Sequence, residues 1–241
     1  MKVSIVVPAF NEERLLPESL ASIRDATQVF TAVGWTTELI VCDNNSTDRT
    51  AEIAAAAGAL VVFEPINQIG RARNTGASRA TGDWLLFVDA DSFPTRELFA
   101  DVVDAIQDGR CLAGGSTVYV AETHHGLRAV IAGWNAISRT IKWAAGSFIF
   151  CEAAAFRQVG GFDNVFYAAE EVELFRQFKR LARRTGRRLV ILHRHPLLTS
   201  GRKAHLYTLR EGLGFYLRSV ITGGRPLRSA KGAFLWYDGR R

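Results

Sequence analysis

An α/β fold, with a mostly parallel central sheet flanked by helices, is what this chain of 241 residues predicts. Three observations carry the prediction. Short apolar runs alternate with helical patterns of about a dozen residues through the first hundred positions. Polar turns bound each run, as βαβ units require. And 48% of the residues are apolar, enough for a sizeable buried core in one domain.

In chain order, Val3–Val7 reads as the first strand. The run is too short for a signal sequence, and Pro8 closes it with no small-residue cleavage site behind. A helix over Glu12–Ala26 follows. The strand Glu38–Cys42 leads to a helix over Asp48–Ala57; Ser46 is its expected N-cap, and Asp48 suits its positive end. Leu60–Phe63 precedes a helix over Ile69–Ala80, and Trp84–Val88 runs into Asp89. Beyond Thr95, Arg96–Gln107 reads as helix and Cys111–Val120 as a strand or strand pair. Gly126–Ala145 is helical again, with Trp134 and Trp143 among its apolar residues. A Gly-Gly-Phe-Asp turn at Gly160–Asp163 leads to a basic helix over Glu171–Thr185, then a short strand over Leu189–Leu192. Leu206, Leu209, Leu213, Tyr216, Leu217 and Val220 recur at three- and four-residue steps, predicting an amphipathic helix over Leu206–Ile221. No linker separates these parts. One domain over 1–241 is expected, with a first half at 1–95, a second at 96–205 and a basic helix and tail at 206–241.

Charge is unevenly placed. Residues 1–175 carry a balance of −9 and residues 176–241 a balance of +15, for a net +6. The cationic third attracts nucleic acid, anionic lipid or phosphate-bearing substrates. It lacks aromatics interleaved at a nucleic-acid module's spacing, so nucleic acid is not the expected partner. No apolar stretch reaches the roughly 18 residues of a membrane span. Cys42, Cys111 and Cys151 are widely spaced in apolar segments with no CxxC pair, which argues against a zinc knuckle or a disulfide framework. Buried free thiols and a cytoplasmic location are expected.

Open parallel sheets bind ligands outside the carboxyl ends of their strands. Three polar clusters fall there: Pro8-Ala9-Phe10-Asn11-Glu12, Asp43-Asn44-Asn45 and Asp89-Ala90-Asp91. Carboxylates so concentrated repel one another unless a cation or hydrogen-bond donors stand among them. Two carboxylates one residue apart can divide a task, one meeting a ribose and the other a hard divalent ion. Mg²⁺ is usually held by one or two carboxylates plus substrate phosphates. Alone, an Asp-x-Asp is as compatible with a turn or a cap.

The pieces in order carry a resemblance. They are Ile5-Val6-Val7-Pro8-Ala9-Phe10-Asn11-Glu12-Glu13, Ile40-Val41-Cys42-Asp43-Asn44-Asn45-Ser46-Thr47-Asp48, Ala72-Arg73-Asn74-Thr75-Gly76-Ala77 and Gly82-Asp83-Trp84-Leu85-Leu86-Phe87-Val88-Asp89-Ala90-Asp91. Gly160-Gly161-Phe162-Asp163, followed by Glu170-Glu171, extends them to about residue 180. The chain resembles a family 2 glycosyltransferase of the GT-A fold, whose Rossmann-like sheet carries a small acceptor-side subregion. The resemblance implies a non-processive, inverting enzyme with a nucleotide-sugar donor, a hydroxyl acceptor, and Mg²⁺ or Mn²⁺ as cofactor. Pro8 and Phe10 would shape the base pocket, Glu12 would contact the nucleoside, and Asp43 would accept from a uracil or guanine N–H. Arg73 would lie near the phosphates, Asp89 and Ala90 near ribose and sugar, and Asp91 on the metal. The family often shows Asp-Asp-Gly-Ser where this chain has Asp43-Asn44-Asn45-Ser46, which puts a secondary nucleoside contact in doubt.

Inverting transfer needs a base for the acceptor hydroxyl and a cation for the leaving diphosphate. The resemblance puts Glu171 at the base position, where the family usually has Asp, with Glu170 as competitor. Adjacent acids at a helix start also suit the helix dipole. His193, or His195, follows the Leu189–Leu192 strand and is a candidate further metal ligand. Ser200-Gly201-Arg202-Lys203 resembles the basic loop that closes over the donor diphosphate, with Arg202 as its candidate contact. Nothing fixes a role for His124 or His125. The Gln-x-x-Arg-Trp motif and membrane spans of processive synthases are missing. Arg180, Arg183, Arg184, Arg187 and Arg188 could seat the chain against the inner face of an anionic membrane, which would suit a lipid-linked acceptor.

Two other readings compete. A sugar-nucleotide pyrophosphorylase needs a Gly-rich, Arg-containing loop after the first strand, and Pro8–Glu12 has neither. A catalytically silent nucleotide-sugar-binding protein would use the same pocket, but intact Asp89, Asp91 and Glu171 argue against it.

Overall fold

Strand β1 (Lys2–Ala9) centres the sheet: every residue from Val3 to Ala9 is buried, as in a strand covered on both faces. It pairs in parallel with β2 (Thr36–Asp43) along its whole length and with β4 (Trp84–Val88). Outside β2 lies β3 (Leu60–Phe63), also parallel. Beyond β4 the direction reverses. β7 (Phe148–Glu152) runs antiparallel to both β4 and β6 (Cys111–Tyr119), and β8 (Arg188–Thr199) returns parallel to β6. The two-residue β5 (Ser92–Phe93) closes the edge against β8, giving the order β3-β2-β1-β4-β7-β6-β8-β5. This computed structural model describes residues 1–120, 125–200, 225–229 and 232.

Side chains alternate across the sheet with a period of two. Val3, Ile5, Val7, Leu86 and Val88 face one cluster with Phe30 of α1 (Leu16–Ala32) and Phe99 of α4 (Arg96–Gln107). Val6, Leu85 and Phe87 face the other. There they meet Phe156 of α6 (Ala153–Val159), Phe162, and Phe175 and Phe178 of α7 (Glu170–Thr185). The remaining helices are α2 (Thr50–Ala56), α3 (Ile69–Ser78) and α5 (His125–Ile141). Cys42, Cys111 and Cys151 are buried and free, and burial lifts each thiol well above its ordinary range.

Several expected boundaries move, each for a local reason. Pro8 does not end β1; it pairs with Cys42 inside the strand. Contact with β4 stops at Val6↔Phe87, so the missing N–H of Pro8 falls where one flank of β1 has no ladder to complete. α1 begins at Leu16 rather than Glu12, with Pro17 in its first turn, where proline is preorganised. Ser46 is not a cap: α2 starts at Thr50, whose N–H and hydroxyl both donate to Asp48 Oδ1. β8 is twelve residues long, not four, because the chain bulges past Thr117 between Leu192 and Leu197 and then pairs again. β5, β7 and α6 were not expected. The helix foreseen over Leu206–Ile221 lies outside the described residues. Among those described, no helix is long and apolar enough to cross a membrane.

Candidate active site

The sheet opens at its carboxyl rim between β1 and β4. β1 stays paired to β2 as far as Ala9↔Asp43, while its pairing to β4 ends two residues after Ser4↔Leu85. Past that point β4 turns away through Asp89, and the gap is the switch-point crevice of an open α/β sheet. The predicted nucleoside residues line its β1–β2 side. Pro8 and Glu12 are buried, Phe10 is half-buried, and Asp43 is buried with Oδ1 accepting from Ser46 N–H at 3.0 Å. Two loops are stitched together here: Asn11 N–H donates to Ser46 Oγ, and Asn11 Oδ1 accepts from Thr47 N–H. Asn11 and Asn45 take positive φ, which Asn tolerates.

Asn44, the departure from the family's acid, has a structural task. Its amide donates to the carbonyls of Glu64 and Ile66, and its Oδ1 accepts from Gln68 N–H at 2.9 Å. A carboxylate could accept but not donate. The residue therefore fixes the lead-in to α3.

Arg73, on α3, is the hub of the other side. It is 1% exposed, yet it donates to Glu170 Oε1, to Asp89 Oδ1 at 2.8 Å and to the Gly146 carbonyl at 2.8 Å. Its guanidinium also lies 5.2 Å from the centre of the Phe162 ring. A buried charge survives only when paired so fully. Burial alone would favour loss of its proton, but Asp89, Glu170 and Glu171 hold it more firmly charged than usual. Glu170, 3% exposed, is raised by its own burial despite Arg73. Glu171 is partly buried, and a Cβ on Gly146 would stand 3.5 Å from its carboxyl carbon. Burial, reinforced by Glu170, lifts the Glu171 carboxyl to about 8, with Arg73 opposing.

Asp89 and Asp91 take different partners. Asp89 meets Arg73; Asp91 Oδ2 accepts from Ser200 Oγ at 2.7 Å and its carbonyl from Ser200 N–H at 3.0 Å. Ala90 packs into the core.

Among the described contacts, His193 makes none to this cluster. With β8 continuing to Thr199, the residue at the rim is Ser200, and His193 stands exposed in the bulge with Nδ1 3.4 Å from the Ile191 carbonyl. His195 meets Asp101 of α4 instead, at 3.1 Å. Among the described residues no group of three or more His, Cys, Asp or Glu is placed to hold a metal. Arg202 lies outside the described residues. Of the five arginines expected at a membrane, Arg187 binds Glu152 and the Cys111 carbonyl, and Arg188 binds Asp108. Arg180, Arg183 and Arg184 are exposed near the far end of α7, with the last two about 20 Å along its axis from Glu171 at 1.5 Å per residue.

Sequence reasoning missed Gly146 and Gln68, and it named Ser200 only as the start of a basic loop, not as the partner of Asp91. Gln68 Nε2 donates to the carbonyls of Asn164 and Phe166, on the path into α7. Only distance in sequence hid it: the bonds span 96 and 98 positions.

Comparison with known proteins bears on the family and the fold. The family described as glycosyl transferase family 2 matches residues 4–165. An uncharacterized glycosyltransferase of Mycobacterium tuberculosis is 36% identical over 122 residues, 51% of each chain. The chain thus spans about half the length of that relative. Among solved structures, S. aureus TarS superposes with a TM-score of 0.64 at 20% identity, over 98% of this chain and 68% of that one. A mannosyltransferase from Pyrobaculum calidifontis, solved with GDP-Man and Mn²⁺, gives 0.66 at 19% identity, over 90% and 60%. At these identities the likeness is one of fold.

Proposed function

Because the chain belongs to glycosyl transferase family 2, we propose that it moves a sugar from a nucleoside diphosphate to a hydroxyl acceptor, with Glu171 as base. One observation carries the reading. Arg73 ties Asp89, at the end of β4, to Glu170, at the start of α7, and so links the acid proposed for the donor to the helix start that carries Glu171.

The acceptor oxygen attacks the anomeric carbon in line as the bond from that carbon to the diphosphate oxygen breaks, which inverts the centre. Its proton passes to a Glu171 carboxylate oxygen. Glu170 is the positioning acid, since Arg73 and burial occupy it. Pro8, Phe10, Glu12 and Asp43 would hold the nucleoside, a uridine or guanosine by its ring N–H. TarS is also solved with UDP-GlcNAc, so its fold accepts one such donor and the Pyrobaculum enzyme's the other.

A divalent cation fits the donor set. Asp91 offers carboxylate oxygen at the rim, and a hard ion needs only one or two carboxylates beside substrate phosphates. Asp91 would hold Mg²⁺ or Mn²⁺, which offsets negative charge on the leaving diphosphate. The acceptor is a lipid-linked or small hydroxyl compound.

Thermal-shift titration with UDP, GDP, dTDP and CDP, each with and without Mn²⁺, tests the reading. A ligand that binds only the folded state must raise the melting temperature. The expected result is a metal-dependent shift with UDP or GDP that is lost in Asp91→Ala. No shift with any nucleotide would sink the donor assignment.

A further inference from the structure

The backbone leading into α7 is strained where it matters most. Ala169, immediately before Glu170, has φ +62°, and its side chain offers no cap to the helix. A non-glycine residue in this region persists only where its surroundings over-determine it. From one side, Gln68 holds the Asn164 and Phe166 carbonyls. From the other comes a short 3₁₀ turn over Arg225–Arg228, remote in sequence. The Leu227 carbonyl accepts from Tyr167 N–H at 2.6 Å and from Ala168 N–H at 3.4 Å. The Arg228 guanidinium lies 5.6 Å from the centre of the Phe166 ring. Three successive residues, Phe166, Tyr167 and Ala168, are thus gripped by this one turn just ahead of the strained residue.

We propose that the Arg225–Arg228 turn is a positioning strap for the base, holding Phe166–Ala169 so that α7 starts at Glu170 with Glu171 facing the crevice. The inference rests on the assignment of Glu171 as base. Leu227 and Arg228 are positioning residues: they act through the backbone of Tyr167 and Ala168 and touch none of Asp89, Asp91 or Arg73 among the contacts described. A loosened strap therefore slows the chemical step while leaving donor binding intact. Misplacement of a reacting group by about 1 Å can cost roughly a hundredfold in rate, so partial loosening is expected to cost about tenfold.

The test uses the full chain with Leu227→Gly and Arg228→Ala combined, and Arg228→Lys alone. Glycine frees the backbone that carries the accepting carbonyl, alanine removes the cation over Phe166, and lysine retains a cation there. The double variant should lose about tenfold in kcat, keep the wild-type donor KM and nucleotide thermal shift, and exchange the Tyr167 and Ala168 amide hydrogens faster. Arg228→Lys should stay near the wild-type kcat. The strap is overturned by unchanged exchange at those amides, by unchanged kcat despite faster exchange, or by kcat and nucleotide shift falling together as in general destabilisation. Wild-type protein that transfers no sugar from any donor would instead remove the assignment of Glu171, and the strap's role with it.

Discussion

At the scale of single residues, the site is a set of acids organised by one arginine. Arg73 compensates Asp89 and Glu170 by direct bonds, whereas Glu171 feels it only at longer range and rests near pH 8. A base whose carboxyl titrates near the working pH combines a usable ionised fraction with real proton affinity. The sign follows from the proposed role: a base at Glu171 works deprotonated, so kcat/KM should rise with pH through an inflection near 8 and level off above it. Glu171→Gln should lower kcat by about 10²–10⁴-fold and remove that inflection, with the nucleotide thermal shift preserved. Steady-state rates from pH 6 to 9.5 check this, and a wild-type inflection that survives in the glutamine variant would assign the base elsewhere. Arg73→Ala should behave differently. It leaves buried acids uncompensated, a cost of about 3–5 kcal/mol that appears first as a lowered melting temperature.

At the scale of elements, α3 shows what spacing can and cannot reveal. The Ala72–Ala77 motif placed the helix, and three of its residues do three jobs. Arg73 holds acids. Gly76 lets the helix close on the sheet, since a Cβ there would stand 2.5 Å from Val6 Cγ1. Asn74 pins the Gly-Gly-Phe turn: its Oδ1 accepts from Phe162 N–H at 2.9 Å and its Nδ2 donates to the Phe162 carbonyl at 2.8 Å. Gly161 is demanded by that bond, for it has φ +74° and an added Cβ would meet Asn74 Oδ1 at 2.6 Å. Asn74→Ala should therefore cost about 2 kcal/mol, roughly 1 kcal/mol for each of the two part-buried bonds to Phe162, with the exposed third to Asn164 Oδ1 adding little, and Asn74→Asp, which keeps the acceptor but not the donor, about half. Urea unfolding at pH 7 measures both; a loss below about 0.5 kcal/mol for Asn74→Ala would show the turn to be held by other contacts. The helix was legible from the local pattern, but its partnership with residues 88 positions away was not. The same limit explains β7. Phe148-Ile149-Phe150-Cys151 is a short apolar run following a helical pattern, and periodicity cannot separate strand from buried helix at that length. In β8 the exposed His193-Arg194-His195-Pro196 bulge interrupts the apolar pattern, so the strand reads as ending at Leu192 although pairing resumes at Leu197.

At the scale of the whole molecule, carboxylates bias stability in opposite directions at separate places. Glu38 sits part-buried where β2 meets the start of β1. Burial raises its carboxyl, but hydrogen bonds from Lys2, Ser4 and Thr81 outweigh that and bring it down to about 2. A depressed carboxylate stabilises the fold above its unfolded value of 4.5, and that stability is lost as pH falls from there through 2. Glu171 works the other way. Its folded value of about 8 lies above 4.5, so ionisation is harder in the folded state, and the penalty grows as pH rises from 4.5 and is complete above 8. Glu170 adds to it in the same direction. The melting temperature should accordingly pass through a maximum on the acid side of neutrality and fall toward pH 9. Glu171→Gln, which cannot ionise, should flatten the alkaline limb and gain on the order of 1–2 kcal/mol at pH 9, roughly 2–8 °C for a chain of this size. At pH 4 it should match wild type, since Glu171 is then protonated in both states. Calorimetric scans of both proteins from pH 4 to 9 decide it. A constant offset at all pH values would mean that glutamine merely packs better, whereas a gap that opens only above pH 5 ties the cost in stability to the same carboxyl that is proposed to take the acceptor's proton.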